Sequence, residues 1–151
     1  MNIYHIGTVL FKSDNSDNEL KAIGGITGYI SELVEYLIDS NVSVGIIGQI
    51  YNYVPKQNLH YIKIQKKITT TSIFLIKLFI KSIFINLPKK SIIHAHRPDH
   101  LAVFSLFNNN YTILSLHGQQ GVTVKRRRGF LVNLIYKFLE RYAFYRANKI
   151  I

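Results

Sequence analysis

Residues 91–118 read SIIHAHRPDHLAVFSLFNNNYTILSLHG, and the fold is decided here. Two apolar runs, 91–95 and 111–116, are each too short for a helix and show no polar alternation, the pattern of strands buried on both faces of a parallel sheet. The segment between them, from about 99 to 107, has room for one short helix. Strand, helix and strand in this order form a βαβ unit, whose crossover is right-handed. Both runs end in histidine, the first as His94-Ala95-His96 and the second as His117. Ligands of open α/β sheets collect outside the carboxyl ends of the strands. His96 and His117 are therefore expected to face one cleft.

Working outward, residues 2–8 form a short apolar strand, which as the first element is expected at the centre of the sheet. A polar loop of about fifteen residues, LFKSDNSDNELKAI, leads to GGITGYISELVEYLIDS. There Ile30, Leu33, Val34, Leu37 and Ile38 repeat at helical spacing, with Gly24 and Gly25 at the entry. Helix N-termini present unpaired backbone N–H groups, and glycine lets a phosphate or sugar approach them; equally, the pair can serve only a sharp turn. Gly24, Gly25 and Gly28 do not make G-x-G-x-x-G and lie far from the first strand, so a dinucleotide site is disfavoured. Strands are expected at 42–48 and, nearer an edge because it alternates with polar residues, at 59–64. The apolar stretch 70–87 is too short and too charged for a membrane span and is read as a helix packed on the sheet. Phe74, Lys77, Lys81 and Phe84 share a side at helical spacing and give it a second reading, as a helix resting on an anionic membrane. Downstream, the loop GQQGVTVKRRRG precedes a helix at 130–147 and the opening of a sixth strand in NKII. The whole predicts one α/β domain, a doubly wound, mostly parallel Rossmann-like sheet of strand order 3-2-1-4-5-6.

Composition narrows the function. With 48% apolar residues and three prolines in 151 residues, the chain can build a core. It has no cysteine, which excludes disulfides, thiolate metal sites and a cysteine nucleophile and is compatible with cytoplasm. The N-terminus lacks the basic segment of a signal peptide. Charge is divided unevenly: residues 1–40 carry two lysines and six acids, whereas 41–151 carry seventeen Lys or Arg against Asp99 and Glu140. A base composition that favours Lys, Asn and Ile codons is the rival explanation of most of the lysines, but explains the arginine cluster less well. Anionic partners are expected: phosphorylated substrates, acidic lipid headgroups or nucleic acid. Nucleic acid has the weakest case. KRRRGF with Tyr136 and Tyr142 could grip phosphates and stack bases, yet the aromatics stand at core-like helical spacing. His94 and His96 lie on one side of a strand and, with His100, invite a zinc or manganese reading. Because Asp99 is the only acid between Asp39 and Glu140, no metal site is assigned. A buried histidine that only hydrogen bonds a loop is the rival reading of His117. His5 and His60 carry no usable signal.

Four segments in order resemble the N-terminal domain of the retaining GT-B glycosyltransferases, family 4-like. These are GGITGYISELVEYLIDSNVSVGII, preceded by the first strand and its loop, then IIHAHRPDHLAVFSL, ILSLHG and LERYAFYRANKII, and the resemblance as a succession covers essentially the whole chain. The resemblance implies transfer of a sugar, with retention, from a nucleotide-diphospho-sugar to a lipid-linked or polysaccharide acceptor. It places His117 at the reacting sugar, and Gly24, Gly25 and Gly118 in the cleft. His96 and Arg97 would lie under the acceptor. Lys125, Arg126, Arg127 and Arg128 would form a flexible segment meeting a phosphorylated or lipid-linked acceptor. Ser40-Asn41 stands where the family often has Gly-His. A three-residue strand is an odd end for a domain, so the expectation is a larger protein cut here, lacking the donor-binding second domain. This half alone is then expected to bind no cofactor and to be inactive or nearly so, in the cytoplasm or peripheral on the inner face of a membrane. A basic nucleic-acid-binding or non-catalytic partner domain is the alternative.

Overall fold

A computed structural model describes residues 2–10, 25–51, 55–65, 70–117 and 120–151, with backbone alone at 10, 51 and 120–128. The elements are β1 (Asn2–Leu10), α1 (Gly25–Asp39), β2 (Ser43–Tyr51), β3 (Leu59–Lys63), α2 (Thr71–Ser82), β4 (Ile92–Ala95), α3 (Pro98–Ser105), β5 (Tyr111–Leu114), α4 (Gln120–Arg146) and β6 (Lys149–Ile150). All six strands are parallel and lie in the order β3-β2-β1-β4-β5-β6. This is the expected doubly wound α/β sheet, with β1 at its centre and β3 at one edge.

The period of two along each strand sorts the core into two faces. On one face Ile6, Ile93, Ala95 and Leu114 pack with Phe74 and Leu78 of α2, Leu101 and Phe104 of α3 and Ala143 of α4. On the other, Val9, Val44 and Ile46 pack with Ile30 and Val34 of α1. Fully burying a side chain of this size contributes roughly 1.5–3 kcal/mol, so these two clusters hold the layers together. Between β1 and β2 the strands come close because Gly48 faces Gly7: a Cβ at Gly48 would stand 1.7 Å from the Gly7 carbonyl oxygen.

Local chemistry sets the joints. Helix α1 ends in a Schellman motif, in which Val42 N–H donates to Leu37 O and Asn41 N–H to Ile38 O, both at 2.9 Å, with Asn41 left-handed at φ 58°. Asparagine tolerates that backbone region, so Ser40-Asn41 makes the turn into β2 without a glycine. Helix α3 starts with Pro98 in its first turn and Asp99 beside the positive end of its dipole. The far end of α4 is fastened to β5, where Thr112 Oγ1 donates to Arg146 O (2.7 Å) and Asn148 Oδ1 accepts from Thr112 N–H (2.8 Å).

Two expectations require correction. Residues 120–128 are helical rather than loop, and only Gly129 (φ 80°, ψ 178°) breaks the path into the rest of α4. That backbone region belongs to glycine, so Gly129 sets a kink between two helical stretches where a loop was expected. In α2, the proposed stripe of Phe74, Lys77, Lys81 and Phe84 is not a single face. Phe74 is buried with Leu78 and Ser82, one turn apart each, while Phe84 lies beyond the helix and is 80% exposed.

Candidate functional site

Parity also decides where the histidines go. Ile93 and Ala95 face α2 and α3, so His94 and His96 point to the α1 side; the same alternation puts Ser115 and His117, opposite in parity to Leu114, on that side. His5 of β1 is opposite in parity to Ile6 and pairs in register with His94. In the order 3-2-1-4-5-6 the chain reverses direction of winding between β1 and β4, and the crevice for ligands opens there. Four histidines from three adjacent strands thus meet at the topological switch point.

They are wired together. His5 Nδ1 lies 3.0 Å from His96 Nε2, and His96 Nδ1 lies 3.2 Å from His117 Nε2. His94 Nε2 lies 2.7 Å from Ser115 Oγ. A neutral imidazole has one N–H and one lone pair, so the chain His5–His96–His117 must donate in one sense throughout, outward to His117 or inward to His5. His5 Nε2 is buried without a partner in either sense. Tyr29, one turn into α1, closes over the outer end, its ring 4.8 Å from that of His117 and 5.7 Å from that of His96.

Burial keeps the inner rings neutral. Desolvation, then the neighbouring His94, pushes His5 down to about 3. Desolvation, followed by His94, His5, His117 and His100, pushes His96 down to about 2; desolvation and then His117 push His94 down to about 4. Charging any one of them would strand a cation among rings that cannot offset it.

Arg97 does not reach into the crevice freely. It makes a bidentate pair with Asp99, Nε to Oδ1 at 2.9 Å and Nη2 to Oδ2 at 2.7 Å, while Asp99 Oδ1 also accepts from His100 N–H at 3.1 Å. Burial alone would raise the Asp99 carboxyl; His100 and the Arg97 guanidinium outweigh it and hold it below the usual range. His100 leaves the trio suggested with His94 and His96, because its ring packs 4.9 Å from Phe74 on the opposite face of the sheet. Its place is taken by His5: one ring nitrogen from each of His5, His94 and His96 lies within 4.8 Å of the others.

Of the residues named from sequence, His96 and His117 come together as expected, and Gly25 heads the helix whose Tyr29 covers them. Gly24 and Gly118 lie outside the described residues. Lys125, Arg126, Arg127 and Arg128 lie on the first part of α4, with only their backbone described. Sequence reasoning missed His5, Tyr29 and Ser115. The signal for His5 was the strand order itself, since setting β1 beside β4 aligns the two histidine-bearing strands. Tyr136 is 5% exposed, which removes it as a base-stacking platform. A polar cavity of about 430 Å³ lined by Asn109, Asn110, Tyr111, Arg146 and Asn148 sits at the amino end of β5, away from the histidines. Among the described residues no helix is long and apolar enough to cross a membrane. No protein-family model, curated protein or solved structure matches the chain.

Proposed function

We propose that this chain is the acceptor-side half of a retaining GT-B glycosyltransferase, which transfers a sugar from a nucleotide-diphospho-sugar to a lipid-linked or polysaccharide acceptor. The observation that carries the reading is the meeting of His96, His117 and Tyr29 at the β1/β4 switch point, beside the amino end of α1. Sugar transfer from a nucleotide diphosphate requires a neutralised leaving group and an oxocarbenium-like centre held away from bulk water, chiefly by positioning and preorganised dipoles. On this reading His117, half-buried at the rim and held by His96 behind it and Tyr29 above it, flanks the reacting sugar. Gly25 lets the donor diphosphate or acceptor approach the unpaired N–H groups that open α1. Arg97, fixed by Asp99, supplies an oriented guanidinium beneath the acceptor. The diphosphate itself belongs to a second Rossmann-like domain, supplied by further sequence or by a separate chain.

The same reading places the enzyme on the cytoplasmic face of a membrane. Phe130, Leu131, Leu134, Ile135 and Phe138 are all more than half exposed on α4, directly after the basic run at 125–128. Apolar side chains next to clustered arginine suit an anionic headgroup layer.

The test begins with the neighbouring reading frames, where a second Rossmann-like domain with a glutamate pair is expected. Co-purified with that domain and supplied with a mixture of nucleotide-sugars and a membrane lipid extract, the chain should form a glycosylated product with retained anomeric configuration. His117→Ala should lower the transfer rate by at least about 100-fold. An inverted product, or full activity in His117→Ala, would reject the assignment.

A further inference from the structure

We propose that His5, His94 and His96 form a binding site for one divalent transition-metal ion of the zinc class. The proposal stands on geometry and does not depend on the sugar-transfer reading. All three side chains are buried: His5 and His94 pair in register on β1 and β4, and His96 follows the last residue of β4, so the sheet centre supplies a rigid platform for ligands. Zinc held by imidazoles at ~2.0–2.1 Å in tetrahedral geometry sets the ligand nitrogens about 3.3 Å apart. His5 Nδ1 and His96 Nε2 already stand 3.0 Å apart, and the full set lies within 4.8 Å. Binding an ion therefore requires the widest nitrogen pair to close by up to about 1.5 Å.

Around His94 and His96 the surroundings are arranged as they are around metal-bound histidines, whose second nitrogen usually donates to a fixed partner. When His94 Nε2–H donates to Ser115 Oγ, its Nδ1 lone pair is left for an ion. When His96 Nδ1–H donates to His117 Nε2, its Nε2 lone pair is left, directed toward His5. His5 Nε2 has no partner at all. A shift of the His5 proton from Nδ1 to Nε2 turns its Nδ1 lone pair to the same point, and no proton need leave the protein. An all-imidazole donor set favours Zn²⁺, Co²⁺, Ni²⁺ or Cu²⁺ over Mg²⁺, Ca²⁺ or Mn²⁺, which prefer oxygen. His94, at 8% exposure, is the least covered of the three, so a fourth ligand enters on its side. Three neutral imidazoles leave the ion's charge uncompensated, which favours an anionic oxygen there.

The experiment is a titration of ZnCl₂ into EDTA-treated, dialysed, ¹⁵N-labelled chain, followed through the imidazole nitrogens. One equivalent should shift the resonances of His5, His94 and His96 and leave those of His60 and His100 in place. Co²⁺ should give the strong visible bands of four-coordinate cobalt. His94→Gln should weaken Zn²⁺ binding by at least about 100-fold, Ser115→Ala by about 10-fold, and His60→Gln not at all. The wild-type titration needs no variant to fold. Absence of shifts, shifts centred on His60 or His100, or unchanged affinity in folded His94→Gln would overturn the site and leave the histidines as a hydrogen-bonded polar core only.

Discussion

His100 offers a test of how firmly the sheet and α3 hold a neutral imidazole. Its side chain is enclosed between Phe74 of α2 and the backbone of β1 near Ile6, and its Nδ1 has no partner. Desolvation lowers its pKa to about 4; Asp99, adjacent on α3, works against the shift and Arg97 adds to it. In the unfolded chain the same group titrates near its ordinary value of about 6.5. The unfolded state therefore binds a proton that the folded state refuses whenever the pH lies between roughly 6.5 and 4. Stability contributed by this group is complete above about pH 6.5 and falls as pH falls, because unfolding takes up the proton. At pH 5 the loss relative to pH 7.5 is about 1.36 kcal/mol for each of the ~1.5 units below the unfolded pKa, or about 2 kcal/mol. This is a large share of the ~5–15 kcal/mol that holds a domain together.

Other buried histidines titrate over the same range, so the measurement is a difference of differences. Urea unfolding of the wild type and of His100→Gln, followed by circular dichroism at pH 7.5 and pH 5 in EDTA, cancels what the two proteins share. Gln keeps a side-chain N–H able to reach the Ile6 carbonyl, and it does not ionise. The wild type should lose about 2 kcal/mol more than the variant between the two pH values. Equal losses, or a larger loss in His100→Gln, would show that His100 is solvated or charged in the fold and would refute the packing of α3 against β1.

Gly48→Ala should destabilise by roughly 2–4 kcal/mol in urea melts, because its Cβ meets the Gly7 carbonyl oxygen at 1.7 Å and neither backbone can yield without losing ladder hydrogen bonds between β1 and β2; an effect below about 0.5 kcal/mol would mean the strands are spaced differently. Asp99→Ala strands Arg97, whose side chain is 26% exposed and can partly reach water, so the expected cost is about 1–3 kcal/mol by the same assay, with Arg97→Ala in the Asp99→Ala background recovering part of it. On the proposed membrane reading, Leu134→Glu with Phe138→Glu should abolish cosedimentation with phosphatidylglycerol vesicles while leaving the unfolding free energy within about 0.5 kcal/mol of wild type, since both residues are more than half exposed; vesicle binding that survives, or none in the wild type, would reject α4 as a membrane-binding face.

The sheet was legible because its strands announce themselves. Ile92 and Ile93 before a histidine, and Thr112 to Leu114 before another, are apolar runs too short to be anything but buried parallel strands, and the alternation with helices then leaves few topologies. Residues 120–128 were not legible: Gly121, Val122 and Thr123 are poor helix formers, no apolar periodicity marks the segment, and what makes it helical is not written in local propensity. The membrane-facing stripe on α2 is overturned for a related reason, although the helix packs on the sheet as expected. Ile73, Ile76, Phe79 and Ile80 are as apolar as Phe74 and Leu78, so hydrophobicity could not say which of them meets the sheet. The pair His96 and His117 was found from strand ends alone, whereas His5 lies in mid-strand and means something only once β1 is set beside β4.

That difference points to how the site is made. A single choice of parity on three strands sends Ile6, Ile93, Ala95 and Leu114 into the larger core and, by the strict alternation of the pleat, sends His5, His94, His96 and Ser115 to the other face. A slip of one residue between β1 and β4 would bury histidines against α2 and α3 and expose isoleucines at the crevice, so the apolar core is what enforces the register of the polar cluster. The reverse also holds: each of these histidines finds its partner only across a strand boundary, through His5 to His96, His94 to Ser115 or His96 to His117, so any other register leaves buried ring nitrogens unpaired at a cost of about 1–3 kcal/mol each. Register is thereby specified twice, by hydrophobic burial on one face and by imidazole pairing on the other. Within this cluster His5 Nε2 is left unsatisfied, and it can take the His5 proton when Nδ1 turns its lone pair to a metal ion, a use that the packing itself does not require.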